Sequence, residues 1–80
     1  MDKNIIYQTI KELLISDYQI NPESIGVEKF LDEDLGLDSL DMVEIINSLE
    51  DHIDKKVDPN LFKDARAVQD LVDLLQPLWK

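Results

Sequence analysis

The sequence predicts an all-α fold: a small bundle of three main helices and one short helix, with a long loop between the first two. Three observations carry this. Apolar residues recur three or four apart in separate stretches, as on one face of a helix, and no stretch carries a strand signal. The two glycines and three prolines are few enough to act as clear punctuation. The 80 residues suffice for one domain, 1–80, close to the lower size at which a single core holds without a metal or cross-links.

The first helix starts at Asp2 or Asn4 and presents Ile6, Ile10, Leu13 and Leu14. It should end before Asn21-Pro22, because a residue preceding proline disfavours the α region. From about Asp17 to Asp38 no period persists, but Ile20, Ile25, Val27, Phe30, Leu31 and Leu35 could pin a long loop onto the core around Pro22 and Gly26. A loop this long in so small a domain points to function.

The second helix begins near Ser39, with Leu40, Val43, Ile46, Leu49 and Ile53 as its apolar series and Asp41, Glu44, Ser48 and Asp51 as its polar face. Asp58-Pro59 is a cap followed by a proline suited to a first helical position, so Asn60 to Lys63 form a brief helix. The last helix spans about Arg66 to Gln76, turns Val68, Leu71, Val72 and Leu75 inward and is closed by Pro77.

Composition narrows the function. Without cysteine there is no disulfide framework, no thiolate metal site and no cysteine nucleophile; any thiol must be brought in. No apolar run approaches a membrane span and the N-terminal residues lack a secretory pattern, so a cytoplasmic protein is expected. Eighteen acids against eight bases give a net charge of −10, which disfavours nucleic acid and anionic lipid and favours partners with basic surfaces. Nine of the eighteen acids fall between Asp32 and Asp54, a stretch with no Lys or Arg. The plain reading of such a stretch is a solvated helix face; the functional one is a docking pole.

The segment Asp34-Leu35-Gly36-Leu37-Asp38-Ser39-Leu40-Asp41 concentrates the chemistry. Gly36 permits the positive φ of a tight turn, Asp38 suits an N-cap, and Ser39 then takes the first exposed position of the second helix. Its hydroxyl would stand at a positive helix end, which favours a phosphate. The carboxylates around it oppose one, so the site suits a covalent phosphodiester better than reversible anion binding. A serine at a helix start is otherwise a structural cap with no chemistry.

The segment from Asp34 through Met42, Val43, Glu44, Ile45 and Ile46 resembles the phosphopantetheine attachment motif of acyl carrier proteins, and the likeness continues through Leu49-Glu50-Asp51 and Val68-Gln69. That resemblance implies an acyl-carrier-type four-helix bundle in which Ser39 carries a covalent 4'-phosphopantetheine, delivered from coenzyme A by a metal-dependent transferase. The carrier would hold acyl intermediates as thioesters in fatty acid or polyketide-type biosynthesis, as a monomer without membrane insertion. Ser39 is then an anchor, and no residue is catalytic.

The resemblance also implies docking of acyl-transferring and chain-elongating enzymes through their basic patches onto Asp38, Asp41, Glu44, Glu50 and Asp51, with Leu40 as an apolar contact. Cargo would shelter among Val43, Ile46, Ile53, Val57, Phe62, Ala65, Val68 and Leu71, which otherwise read as ordinary core. The chain departs from the family at Asn47, at Phe62 where many relatives keep a small residue, and at Asn60, Leu61 and Lys63 where fatty-acid carriers tend to be acidic. Lys55, Lys56 and Trp79 add to these departures, and together they suggest a specialised or secondary carrier at least as readily as a housekeeping one.

Three rivals are weaker. A calcium loop starting at Asp32 would need an oxygen ligand, a glycine and a glutamate where the chain has Gly36, Leu37 and Val43. An enzyme lacks a partner for His52, the sole histidine, and a second layer to separate carboxylate pKa values. An acidic helical adaptor using the same fold would keep its partner when Ser39 is replaced by alanine.

Overall fold

The computed structural model describes residues 2–53 and 57–80 and contains three α-helices: α1 (Lys3–Tyr18), α2 (Ser39–Leu49) and α3 (Val68–Leu75). The Asp2 carboxylate accepts from the Asn4 amide at 2.9 Å and so caps α1, which buries Ile6, Ile10 and Leu14 completely and leaves Leu13 half-buried at the edge of that face. At its far end Gln19 turns left-handed (φ 55°), and the amides of Gln19 and Ile20 both reach the Leu14 carbonyl. The helix therefore ends two residues ahead of Asn21-Pro22.

The loop to α2 holds one 3₁₀ turn, Pro22–Ser24, opened by the Asn21 side chain accepting from the Glu23 amide. Ile25, Leu31 and Leu35 are buried as expected and are joined by Leu37, whereas Val27 and Phe30 remain 38% and 43% exposed. Backbone hydrogen bonds, more than these two side chains, fasten the stretch. The Val27 and Lys29 carbonyls accept from the Gln69 and Val68 amides (2.9 and 3.0 Å), and the Leu31 amide donates to the Arg66 carbonyl (2.7 Å). The loop thus satisfies the orphan amides at the start of α3. Phe30 pairs with Ala67 in an isolated bridge and remains exposed, while the next residue, Leu31, is buried.

The same end of α3 explains why the helix starts at Val68 rather than near Arg66. The Arg66 and Ala67 amides both donate to the Asp70 carboxylate (2.9 and 3.0 Å), which keeps those two residues outside the helix. Val68, Leu71, Val72 and Leu75 are all buried, as their spacing predicts. Pro77 sits inside a 3₁₀ turn, Gln76–Leu78, that prolongs the helix end more tightly.

On α2 the predicted apolar series needs correction. Leu40 is 73% exposed and Val43 38%, while Ile45, absent from the series, is fully buried beside Ile46 and Leu49. Residues three apart drift by about 60° at each step of an α-helix, so a run of such steps from Leu40 to Leu49 crosses to the opposite face. The helix also ends at Leu49; a 3₁₀ turn, Glu50–His52, leads to Ile53, which is buried from an extended segment.

The brief helix expected at Asn60 to Lys63 is a single 3₁₀ turn, Pro59–Phe62, opened by the Asp58 carboxylate accepting from the Asn60 amide (2.9 Å). Among the described residues there is no strand, only two isolated bridges, Phe30 with Ala67 and Ile53 with Trp79. Trp79 stacks on His52 with ring centroids 5.2 Å apart and planes 6° apart, tying the C-terminal residues to the 3₁₀ turn that follows α2. Lys55, Lys56 and the last acid of the acidic stretch, Asp54, lie outside the described residues. No helix among them is long and apolar enough to cross a membrane.

Candidate functional site

Gly36 takes φ 72°, and this left-handed turn sends the chain into α2. The Leu37 amide returns to the Leu31 carbonyl (2.9 Å), so the turn is closed across its own loop. Asp38 then caps α2 reciprocally: the Asp41 amide donates to the Asp38 carboxylate (2.9 Å) and the Asp38 amide to the Asp41 carboxylate (3.1 Å). Ser39 follows as the first residue of α2 and is exposed. No side chain accepts or donates to its hydroxyl among the described residues, so its oxygen is presented outward at the positive end of the helix.

Tyr18 braces this helix from α1, a contact the sequence pattern does not reveal. Its hydroxyl lies 3.4 Å from both the Asp41 carbonyl and the Glu44 carboxylate, to which it donates. Burial, and then the negative charges of Glu44 and Asp41, push its pKa above the ordinary tyrosine value. Its only advance signal is its place at the end of α1, where a long amphipathic side chain can reach a neighbour.

Beside Ser39 opens a groove of about 710 Å³. Leu31 and Leu37 from the loop, Met42, Val43 and Ile46 from α2, and Phe62 and Ala65 from the stretch between α2 and α3 supply its apolar lining. Asp32, Asp38, Asn60, Lys63 and Arg66 supply its polar edge, and Ser39 itself belongs to the wall. Four of the eight cargo candidates, Val43, Ile46, Phe62 and Ala65, thus share the groove with Ser39. Ile53, Val57, Val68 and Leu71 are buried elsewhere in the core and do not line it. Leu31, Leu37 and Met42 were missed because the first two come from the aperiodic loop and the third lies between the apolar series and the polar face.

Of the docking candidates, Asp38, Leu40, Glu44 and Asp51 are exposed and Asp41 and Glu50 half-buried. One carboxylate oxygen of Asp38 and one of Asp41 are already engaged in the cap, and Glu44 is engaged by Tyr18. The exposed Leu40 stands next to Ser39 in the chain. No group of three or more acidic or histidine side chains among the described residues could hold a metal ion.

The family profile for the phosphopantetheine attachment site matches residues 8–75. An acyl carrier protein from Saccharopolyspora erythraea is 35% identical over 74 residues, which cover 92% of this chain and 78% of that protein. The chain belongs to the acyl carrier protein family. Acyl carrier proteins from Wolinella succinogenes and Cyanophora paradoxa are 32% and 31% identical, covering 89% and 98% of this chain and 93% and 77% of theirs. Members of the family are non-catalytic carriers that use phosphopantetheine and serve the biosynthetic enzymes they meet.

The residues present fit that group. An exposed hydroxyl at a helix start would give an attachment point without disturbing the core, and the groove joins an apolar lining to donors on Asn60, Lys63 and Arg66. Its volume lies in the range of pockets for drug-sized ligands, roughly 300–1,000 Å³.

Proposed function

We propose that the chain carries acyl intermediates as thioesters on a 4'-phosphopantetheine arm attached to Ser39, in cytoplasmic fatty acid or polyketide-type biosynthesis. The observation that carries this reading is the exposed Ser39 hydroxyl at the capped start of α2, set in the wall of an apolar groove. When bound, the arm supplies a terminal thiol that this cysteine-free chain lacks.

In the loading step the Ser39 oxygen would form a bond to the phosphorus next to pantetheine in coenzyme A while its proton passes to a base supplied by the transferase. The adenosine bisphosphate half departs with the broken pyrophosphate bond. The Asp38 cap and the Gly36 turn hold the hydroxyl outward for this displacement. Val43, Ile46, Phe62 and Ala65 offer an apolar surface to cargo.

Asp38, Leu40, Asp41, Glu44, Glu50 and Asp51 are the docking residues of this reading, meeting the transferase and the acyl-handling enzymes through basic patches. Such encounters are fast and weakened by salt.

The test is intact mass after incubation with coenzyme A, magnesium and a phosphopantetheinyl transferase of broad specificity. Wild type should gain one arm and Ser39→Ala none. No gain in wild type with several transferases would refute attachment and bring the adaptor reading forward.

A further inference from the structure

We propose that Lys63 and Arg66 form a cationic clamp that holds the phosphodiester borne by Ser39 against the groove. This deepens the attachment reading above and rests on it.

The starting point is an electrostatic conflict at Ser39. A phosphodiester there adds negative charge beside Asp38, with Asp32 in the same groove wall, in a chain already at −10. The helix end compensates only in part: of its first amides, those of Asp38 and Asp41 are already taken by each other's carboxylates. A further source of positive charge is needed for the arm to lie close to the protein.

The stretch between the Pro59–Phe62 turn and α3 supplies it. Lys63 and Arg66 line the same groove as Ser39, and both are exposed. In a chain with eighteen acids and eight bases a cation readily finds a carboxylate, yet among the described residues the one ion pair is Lys3 with Asp73. Neither groove cation is paired there.

Arg66 is also held in place at its base. Its amide donates to Asp70 (2.9 Å) and its carbonyl accepts from Leu31 (2.7 Å), so the backbone under the guanidinium is fixed on two sides. A guanidinium suits two phosphate oxygens at once and an ammonium adds a point charge. Exposed pairs of this kind are weak in a bimolecular encounter, but the covalent link keeps the phosphate at the groove at an effective concentration of about millimolar or above.

The experiment loads wild type, the double variant Lys63→Gln/Arg66→Gln, each single variant, and the control Lys11→Gln, whose cation lies off the groove. Intact mass verifies one arm on each. The holo-minus-apo change in Tm should be about 2–6 °C more favourable in wild type and K11Q than in the double variant at low salt, with the single variants between. The gap should close near ~1 M salt. The side-chain Nε resonance of Arg66 should shift between apo and holo wild type.

Equal holo-minus-apo changes in wild type and the double variant, with an unmoved Arg66 resonance, would overturn the clamp while leaving attachment intact. So would a charge dependence seen only when a carboxylate-bearing acyl group is loaded. Absence of mass gain in wild type would instead remove the attachment reading and the clamp with it.

Discussion

Replacing Gly36 by alanine tests whether the turn before Ser39 is governed by backbone conformation or by packing. A Cβ built on Gly36 meets nothing within 4 Å, so sterics against neighbours contribute no penalty. The φ of +72° does: an L-residue in the left-handed region is disfavoured by about 1–2 kcal/mol. Alanine returns about 0.4–1 kcal/mol by restricting the unfolded chain. The net expectation for Gly36→Ala is a loss of about 1 kcal/mol, or a fall in Tm of about 4–8 °C for a domain of this size. Gly36→Asn should lose less, since asparagine tolerates this conformation.

Gly26 provides the contrast. It does not have positive φ, and the atoms nearest its added Cβ are the end of the Glu28 side chain, with Oε1 at 2.8 Å, which can rotate away. Gly26→Ala should therefore be neutral or stabilising by up to about 1 kcal/mol. Thermal unfolding followed by circular dichroism reads all three variants. If Gly36→Ala matched or exceeded wild-type stability, or if Gly26→Ala were the more damaging of the two, the conformational reasoning would be refuted.

Ile45→Ala should cost about 2–5 kcal/mol and Leu40→Ala less than about 0.5 kcal/mol, so urea unfolding that ranked them the other way would overturn the assignment of the α2 faces. Asp70 is held below the usual carboxylate range by the Ala67 amide and then the Arg66 amide. Its contribution is present above the unfolded-state value near about 4 and is lost as pH falls through the lower folded value; Asp70→Asn should flatten that part of the acid-unfolding curve. Tyr18 has the opposite sense: its raised folded pKa gives stability that is complete below about pH 10 and lost as pH rises through the folded value. Tyr18→Phe should remove that alkaline loss in a pH-dependent melting series. The exposed Lys3–Asp73 pair should contribute under about 1 kcal/mol, with Lys3→Ala indistinguishable from wild type in melts at high salt.

The local features of the site were legible because short-range chemistry decides them. The glycine at 36, the acidic cap at 38 and the serine at 39 act within one turn, so their order alone places a hydroxyl at a helix start. The last helix was legible for the same reason: its four inward residues repeat with the helical period and all four are buried. The composition determined that no thiol could come from the chain itself, and the length of the motif determined the family.

The tertiary structure decided which contacts those local pieces make. Whether Leu40 or Ile45 faces the core depends on how α2 is rotated against its neighbours, and a series of apolar residues three apart does not specify that rotation. The start of α3 is fixed locally by Asp70, but what satisfies its first amides was set by partners distant in the chain, the Val27 and Lys29 carbonyls. The groove, too, gathers Leu31, Ser39, Phe62 and Arg66 from segments with no shared period, and side chains so far apart in sequence become one site only when the long loop is fastened across the bundle.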